Sequence, residues 1–179
     1  SGGPMMGKPV TWEEAMESSV TKTTSGILVL RASSPIIRNA HMDIRHMLNR
    51  AKSACIQCSF CTSLCPRHML GHPLKPHMIM RKISMSDWSG TLLQDPDIRQ
   101  AAICCECGIC EIYACPMGLN PRKINSMLKT ELSQAGVRYE RKQTEYHADP
   151  GREYRKCPTK RAAARAGVLT YYEISSFAW

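Results

Sequence analysis

The sequence predicts a mainly α-helical module built around metal, preceded by a small strand-bearing segment, and three observations carry that prediction. Two four-cysteine runs stand in the middle of the chain: Cys55, Cys58, Cys61 and Cys65 followed by Pro66, then Cys104, Cys107, Cys110 and Cys115 followed by Pro116. Apolar residues recur at helical spacing before, between and after these runs. Runs of β-branched and apolar residues parted by a glycine occur instead near the N-terminus.

Residues 1–40 hold no cysteine. Val20 to Thr24 and Ile27 to Leu30 flank Ser25-Gly26 and read as a short hairpin, while Pro4, Pro9 and Pro35 argue against long helices. The glycines before Lys8 lack phosphate-loop spacing and read as a turn. From residue 41 the pattern changes to helix. Ile44, Met47, Leu48 and Ala51 place one helix over His41 to Ser53, which delivers the chain into the first run. Pro76 to Ser86 forms a second helical stretch, and Asp95 as N-cap with Pro96 at the first helical position opens a third that reaches Cys104. After Pro116, Asn120 as N-cap and Pro121 start a helix whose face is Ile124, Met127, Leu128 and Leu132, with Gly136 as terminator. The chain then turns polar over 137–158, an expected linker or surface strap, before Thr159 caps a short helix from Lys160 to Ala166 ended by Gly167. The expected domains are thus 1–40, 41–136 and 137–179.

Three cysteines at successive three-residue intervals, with a fourth before proline, are the ligand set of a [4Fe-4S] cluster, and two such runs make a two-cluster electron carrier. Zinc knuckles also use Cys-x-x-Cys pairs, but two pairs complete a tetrahedral site and leave the third interval without a purpose. One departure stands out. The second run has four residues between Cys110 and Cys115, Glu-Ile-Tyr-Ala, where the first has three between Cys61 and Cys65, Thr-Ser-Leu.

Composition narrows the function further. With 6% aromatic residues against 11 methionines and 10 cysteines, aliphatic and thioether side chains around the metal must supply much of the core. The formal charge is +9. Two oxidised four-thiolate clusters contribute roughly −4 and leave about +5, so charge says little about partners. No apolar stretch is long enough for a transmembrane helix, and metal-type cysteine spacing without an apolar signal region points to a reducing cytoplasm. The opening Ser1-Gly2-Gly3-Pro4 reads as a segment entered midway.

The remaining candidates are weighed against simpler roles. Cys105 breaks the spacing of its run and reads as a non-ligand neighbour of Cys104; Cys157 reads as a free thiol. His68, His72 and His77 read as loop surface rather than as groups tuning a cluster. The basic residues Arg152, Arg155, Lys156, Lys160, Arg161 and Arg165 have no aromatic stacking platform, which favours a solvated or acidic-partner face over nucleic acid. There is no nucleophile–base set, no dinucleotide fingerprint and no carboxylate pair with a clear task, so no catalytic residue is assigned.

The strings GGPMMG (2–7), PVTW (9–12), VTKTTSGILVL (20–30), CIQCSFCTSLCP (55–66), CCECGICEIYACP (104–116) and CPTKRAAARAGVLTY (157–171) together resemble the C-terminal half of the RnfC-like flavo-iron-sulfur proteins. The gap before Cys115 and the following MGLNPRKIN are most similar to the PduS-like cobalamin reductases of bacterial microcompartments. The resemblance implies an alpha-helical dicluster ferredoxin module, with residues 1–40 the end of a ubiquitin-like SLBB domain. It implies that Cys55, Cys58, Cys61 and Cys115 hold one [4Fe-4S] cluster and Cys104, Cys107, Cys110 and Cys65 the other. It also implies a flavin-bearing electron donor, with FMN and NADH bound in a part of the parent protein not present here, and a corrinoid or corrinoid enzyme as acceptor. Microcompartment shell or lumen proteins are further expected partners, and the microcompartment lumen is a second expected location. Two rival readings remain: the RnfC-type subunit of an ion-translocating NADH:ferredoxin oxidoreductase, and a structural module whose clusters only hold a docking surface.

Overall fold

The computed structural model describes residues 10–22, 24, 26–86, 90–140, 145–155 and 157–167. It is helical throughout its regular parts. In order these are α1 (Trp12–Glu17), α2 (Pro35–His41), α3 (Ile44–Ala54), α4 (Phe60–Ser63), α5 (Pro66–Met69), α6 (Pro76–Met85), α7 (Pro96–Arg99), α8 (Pro121–Gln134) and α9 (Thr159–Ala166). Short 3-10 turns cover Gly90–Gln94, Gln100–Ile103 and Pro150–Glu153, and a π-turn covers Cys110–Ala114.

The central helices form near their sequence signals, with two corrections: α3 begins at Ile44, since His41 ends α2, and the stretch expected to run as one helix from Pro96 to Cys104 divides into α7 and a 3-10 turn. Asp43 caps α3 through its carboxylate, which accepts from the His46 N–H at 3.3 Å, and Met47 and Ala51 turn inward. Pro76 opens α6 and Pro121 opens α8, each at a position where the missing N–H costs nothing. Asp95 caps α7 by accepting from the Asp97 N–H at 2.8 Å, and its other oxygen meets Lys82 of α6 at 2.8 Å. Burial raises the Asp95 carboxyl, but the Lys82 ammonium and backbone N–H groups outweigh it and hold the group below its ordinary value. Helix α8 ends as predicted. Gly136 sits at φ +66, its N–H donates to Ser133 O, and Val137 N–H reaches back to Leu132 O at 2.9 Å, the paired bonds that a left-handed glycine makes possible.

The core lies where α3, α6, α7 and α8 meet. Ala51, Ile79, Met80, Ile83, Ile98, Ala101, Ile124 and Leu128 are all essentially inaccessible, with Leu74, Leu119 and Leu132 beside them. Each such aliphatic side chain contributes about 1.5–3 kcal/mol by leaving water. Cys65 belongs to the same cluster of buried residues, and Cys55, Cys104 and Cys115 pack against it, so these cysteines are set into this core rather than onto it.

The N-terminal expectation is corrected. None of the described residues of 20–30 is in a strand; Ser25, in the expected turn, lies outside the described residues, as do Pro4, Pro9 and the first nine residues generally. Ile27, Leu28 and Val29 are 75%, 65% and 93% exposed. A lone two-stranded hairpin is marginal in water without a sheet or helix to cover its apolar face; here Leu30 packs beside Ile36 and Ala166, while Val20, Ile27, Leu28 and Val29 stay in water. Pro35, read as arguing against a long helix, begins the seven-residue α2, behind Ser34, whose hydroxyl accepts from the Ile36 N–H.

Beyond α8 the polar segment lies across α5. Asp149 N–H donates to Met69 O at 3.0 Å, and the His72 and Tyr146 rings stand 4.5 Å apart. Gly71, at φ +91, admits this strap: a Cβ there would stand 2.4 Å from the His147 carbonyl oxygen. The last helix starts at Thr159, so Pro158 rather than Thr159 holds the N-cap position. It returns to α2 through the Ser34 hydroxyl, which donates to Ala166 O at 3.0 Å.

Candidate metal centre

Each cysteine run is a short loop leaving a helical segment. Cys55 caps the C-terminus of α3, and Cys104 does the same for the 3-10 turn Gln100–Ile103. From there the two backbones repeat one another. Gln57 and Ser59 stand at φ +55 and +61, and Glu106 and Gly108 at φ +57 and +80, the second and fourth residues after the first cysteine in both loops. Left-handed residues cost roughly 1–2 kcal/mol each outside glycine. Paying this strain twice at matching positions suits turns that curl peptide N–H groups around an anionic centre.

The loops differ after their third cysteine. Cys61 lies in the regular turn α4, whereas Cys110 opens the π-turn, whose wider ring accommodates the extra residue before Cys115. The four-residue gap noted in the sequence is thereby absorbed in the backbone. Cys115 then keeps its place: Arg50 of α3 donates to Met117 O at 3.1 Å and Gly118 O at 3.2 Å, fastening the chain after Cys115 to the helix that ends at Cys55.

Two groups of thiols result. Cys61 is pushed up to about 12 by burial and by the neighbouring Cys115, Cys55 and Cys58, so the fourth cysteine of the second run stands with the first three of the first. A cavity between α8 and the second loop is lined by Cys65, Cys104, Cys107 and Cys110, with Cys105, Arg122 and Asn125 on its wall. Burial raises Cys65, Cys104 and Cys110, and it pushes Cys107 up to about 11. Cys110 also feels Cys61 and Cys65, which puts the two groups side by side. Among the described residues no three histidine, cysteine, aspartate or glutamate side chains gather closely enough for a single metal ion.

Both donor sets fit an iron–sulfur cube: four thiols each, in a setting where an uncompensated thiolate is disfavoured and coordination by metal supplies the compensation. Sulfur also finds N–H donors. Glu106 N–H points to Cys104 Sγ at 3.4 Å, Leu119 N–H to Cys115 Sγ at 3.3 Å, and the Gln57 side-chain amide to Cys55 Sγ at 3.3 Å. Backbone N–H groups of Arg67 and His68 serve Cys65, and that of Ile109 serves Cys107. Asn125 adds a further mark of fit: it is 1% exposed, and neither of its amide atoms has a hydrogen-bond partner beside the second cavity.

The residue after each third cysteine locks its loop to the helix that follows. Thr62 accepts from the His77 N–H at 3.0 Å and meets His77 Nδ1 at 2.7 Å, tying the first loop to α6. Glu111 has no exposed side-chain surface; it accepts from Arg122 at 3.3 Å and from the Asn120 amide at 3.1 Å, with the Asn39 amide at 3.4 Å. Asn120 holds the N-cap position of α8 but spends its side chain on Glu111 instead of on the helix. Sequence reasoning missed this network, because Asn39 lies 72 residues from Glu111 and because Asn120 and Arg122 meet it only once the second loop and α8 are packed together. Their one signal was an acidic residue directly after a ligand cysteine.

The histidines differ from the expected loop surface. His68 and His77 are half-buried, burial lowers both pKa values, and His77 is bound into the first loop. Cys105 lines the second cavity and interacts with Cys107. Cys157 stands apart, raised by burial. Within the basic run, Arg165 donates to Tyr113 O and stacks over its ring at 5.0 Å, and Arg155 meets Asp149 at 3.7 Å; Lys156 lies outside the described residues.

Residues 54–120 match the 4Fe-4S dicluster domain family. The chain is 41% identical over 97% of its length to cobalamin reductase PduS of Salmonella typhimurium, and 40% identical over 96% to cobalamin reductase PduS of Citrobacter freundii. It spans 36% of the length of each of these relatives. No solved structure matches it significantly. No helix among the described residues is long and apolar enough to cross a membrane. The chain thus carries a 4Fe-4S dicluster domain, an iron–sulfur electron-transfer unit, and along nearly its whole length it is homologous to part of the cobalamin reductases named PduS.

Proposed function

We propose that this chain conducts electrons through two [4Fe-4S] clusters as the iron–sulfur part of a PduS-like cobalamin reductase of a bacterial microcompartment. Cys55, Cys58, Cys61 and Cys115 ligate one cluster, and Cys104, Cys107, Cys110 and Cys65 the other. The observation that carries this reading is the exchange of fourth cysteines: Cys115 stands with the first loop and Cys65 lines the cavity of the second. Such exchange binds both loops into one unit and keeps two redox centres adjacent.

When bound, each cluster takes up and returns one electron. The chain supplies the rest. Thiols fix the metal, the curled loops and their N–H groups favour the anionic sulfur, and the core of α3, α6 and α8 holds the loops at a constant separation. The electron donor is a flavin-bearing domain or subunit that binds FMN and NADH, and the acceptor is a corrinoid or corrinoid enzyme, with microcompartment proteins as neighbours. Residues 1–40 belong to the end of an SLBB-like domain, residues 41–136 form the cluster module, and 137–179 strap it.

Anaerobic iron and sulfide analysis with EPR tests this. The expected result is about eight irons and eight sulfides per chain. Dithionite reduces the centres and NADH does not, until a flavin-bearing partner is supplied. Stoichiometric zinc with no iron–sulfur signal overturns the cluster assignment, and oxidation of NADH by the chain alone overturns the division of labour.

A further inference from the structure

The two halves of the module differ in polarity at one matched core position. Each loop leads through its fourth cysteine and a buried leucine, Leu74 or Leu119, to a helix that opens on proline. The first helical turn then reads Pro76-His77-Met78-Ile79-Met80 in α6 and Pro121-Arg122-Lys123-Ile124-Asn125 in α8. Ile79 and Ile124 are both fully buried core residues. Four residues after the proline the pattern breaks: α6 has Met80 and α8 has Asn125, each 1% exposed.

An amide at a core position is costly unless satisfied. Asn125 Oδ1 and Nδ2 are both buried and neither meets ordinary hydrogen-bond geometry within the chain, although the amide approaches Cys104. The amide lines the cavity of Cys65, Cys104, Cys107 and Cys110. Its interaction with Cys104 works against the burial that disfavours that thiolate. Cys104 already accepts from the Glu106 N–H.

We infer that Asn125 is a positioning residue of the second site, its amide NH2 donating to the Cys104 thiolate and so making that site the easier of the two to reduce. This rests on the two-cluster reading above. Reduction adds negative charge to the centre and its sulfurs, and a hydrogen bond to sulfur stabilises the more charged state, raising the reduction potential. The matching residue of the first half, Met80, has no donor to offer. The amide therefore biases the resting place of a single electron toward the buried second loop.

The test uses the full chain loaded with both clusters, with EPR-monitored redox titration and iron analysis as readouts. N125L and N125M each remove the donor without adding a charge, and N125Q keeps the amide. Loss of one hydrogen bond to a charged acceptor is expected to shift electron partition from the second site about tenfold, which for one electron is ~59 mV downward. Iron content stays unchanged in N125L, and N125M moves the same midpoint in the same direction. N125Q retains at least half of the wild-type difference. An unchanged midpoint in whichever donor-free variant loads both clusters overturns the inference while leaving the two-cluster reading standing. Failure of all three variants to hold the second cluster assigns Asn125 to assembly, and also overturns it. A wild-type chain that binds fewer than two clusters overturns the underlying reading first.

Discussion

The first cysteine loop is open and the second is enclosed, although both share a ligand spacing and a pair of left-handed residues. Ile56 and Phe60, between the ligands of the first loop, are 61% and 53% exposed. Their counterparts Cys105 and Ile109 in the second loop are only partly exposed, and Gly108 is buried. The first loop is locked by the neutral pair of Thr62 and His77, the second by the buried ion pair of Glu111 and Arg122 with two amides. The repeated cysteine spacing thus makes the two loops alike, while the residues between and after the cysteines decide how wet, how charged and how rigid each loop is. Exposure and hydrogen bonding to sulfur are the levers that set iron–sulfur potentials, so two centres built on one motif need not be equivalent.

The largest expected effect comes from breaking the exchange between loops. Cys65→Ala should abolish the cluster held by the second loop, and Cys115→Ala the cluster held by the first, each halving the iron content to about four per chain. Iron analysis together with EPR assignment of the surviving signal checks this. Loss of the cluster on the mutated run itself would show uncrossed ligation and erase the link between the two regions. Cys105→Ala and Cys157→Ala should leave iron unchanged.

The two locks should differ in strength. Glu111→Ala leaves the Arg122 guanidinium buried beside a vacated carboxylate site, and breaking such a pair costs about 3–5 kcal/mol. Thr62→Val removes a neutral hydrogen-bonding hydroxyl from the equivalent position and should cost about 1–3 kcal/mol. Urea unfolding of the loaded protein, followed by cluster absorbance and far-UV circular dichroism, compares them. Equal midpoints for the two variants would mean that the ion pair does no more than the hydroxyl.

Two residues after Glu111 lies Tyr113, in the longer gap of the second loop. Deleting Tyr113 restores the three-residue spacing of the first run, which a regular turn already satisfies around Cys61. Iron content is expected to hold. The deletion also removes the carbonyl and ring that engage Arg165, so limited proteolysis within 150–167 should speed up several-fold, tracking the population of the opened strap. Loss of iron instead would show that the π-turn serves ligation and not the docking of α9.

How much of this was legible in the sequence depends on how local each cause is. Asp95, Pro96, Pro121 and Gly136 act within one helical turn of themselves, and the helices begin and end where they stand. The cysteine spacing is equally local. The hairpin at 20–30 was misread because β-branched residues make a strand only when a partner covers them. Glu111 and Asn125 look like ordinary polar residues in sequence; their burial arises from α2, α8 and the second loop meeting in space. Asn125 did carry a faint signal, a polar residue between Ile124 and Leu128 on the apolar face of α8, but periodicity alone cannot tell a buried amide from the edge of a solvated stripe. The π-turn was visible only as one residue too many.

The smallest effect on the molecule itself is expected at the open rim of the first loop, and it bears directly on what the difference between the loops is for. Ile56→Ser and Phe60→Ser change side chains that are mostly in water already, so stability should move by no more than about 0.5 kcal/mol. Neither residue is a ligand, and both midpoints should hold. What should change is exchange with another protein, because an exposed apolar pair beside one centre is the part of this site a partner can cover, whereas the second centre is walled by Arg122, Asn125 and Leu74. Stopped-flow reduction by a flavin-bearing partner domain is expected to slow several-fold in the double variant, while reduction by dithionite, a small ion that needs no docked surface, keeps its rate. Equal slowing with both reductants would place the defect in the centre and not in the contact. Unchanged rates with both would mean that electrons enter by another face, and the exposure of the first loop would then have no part in setting the direction of flow.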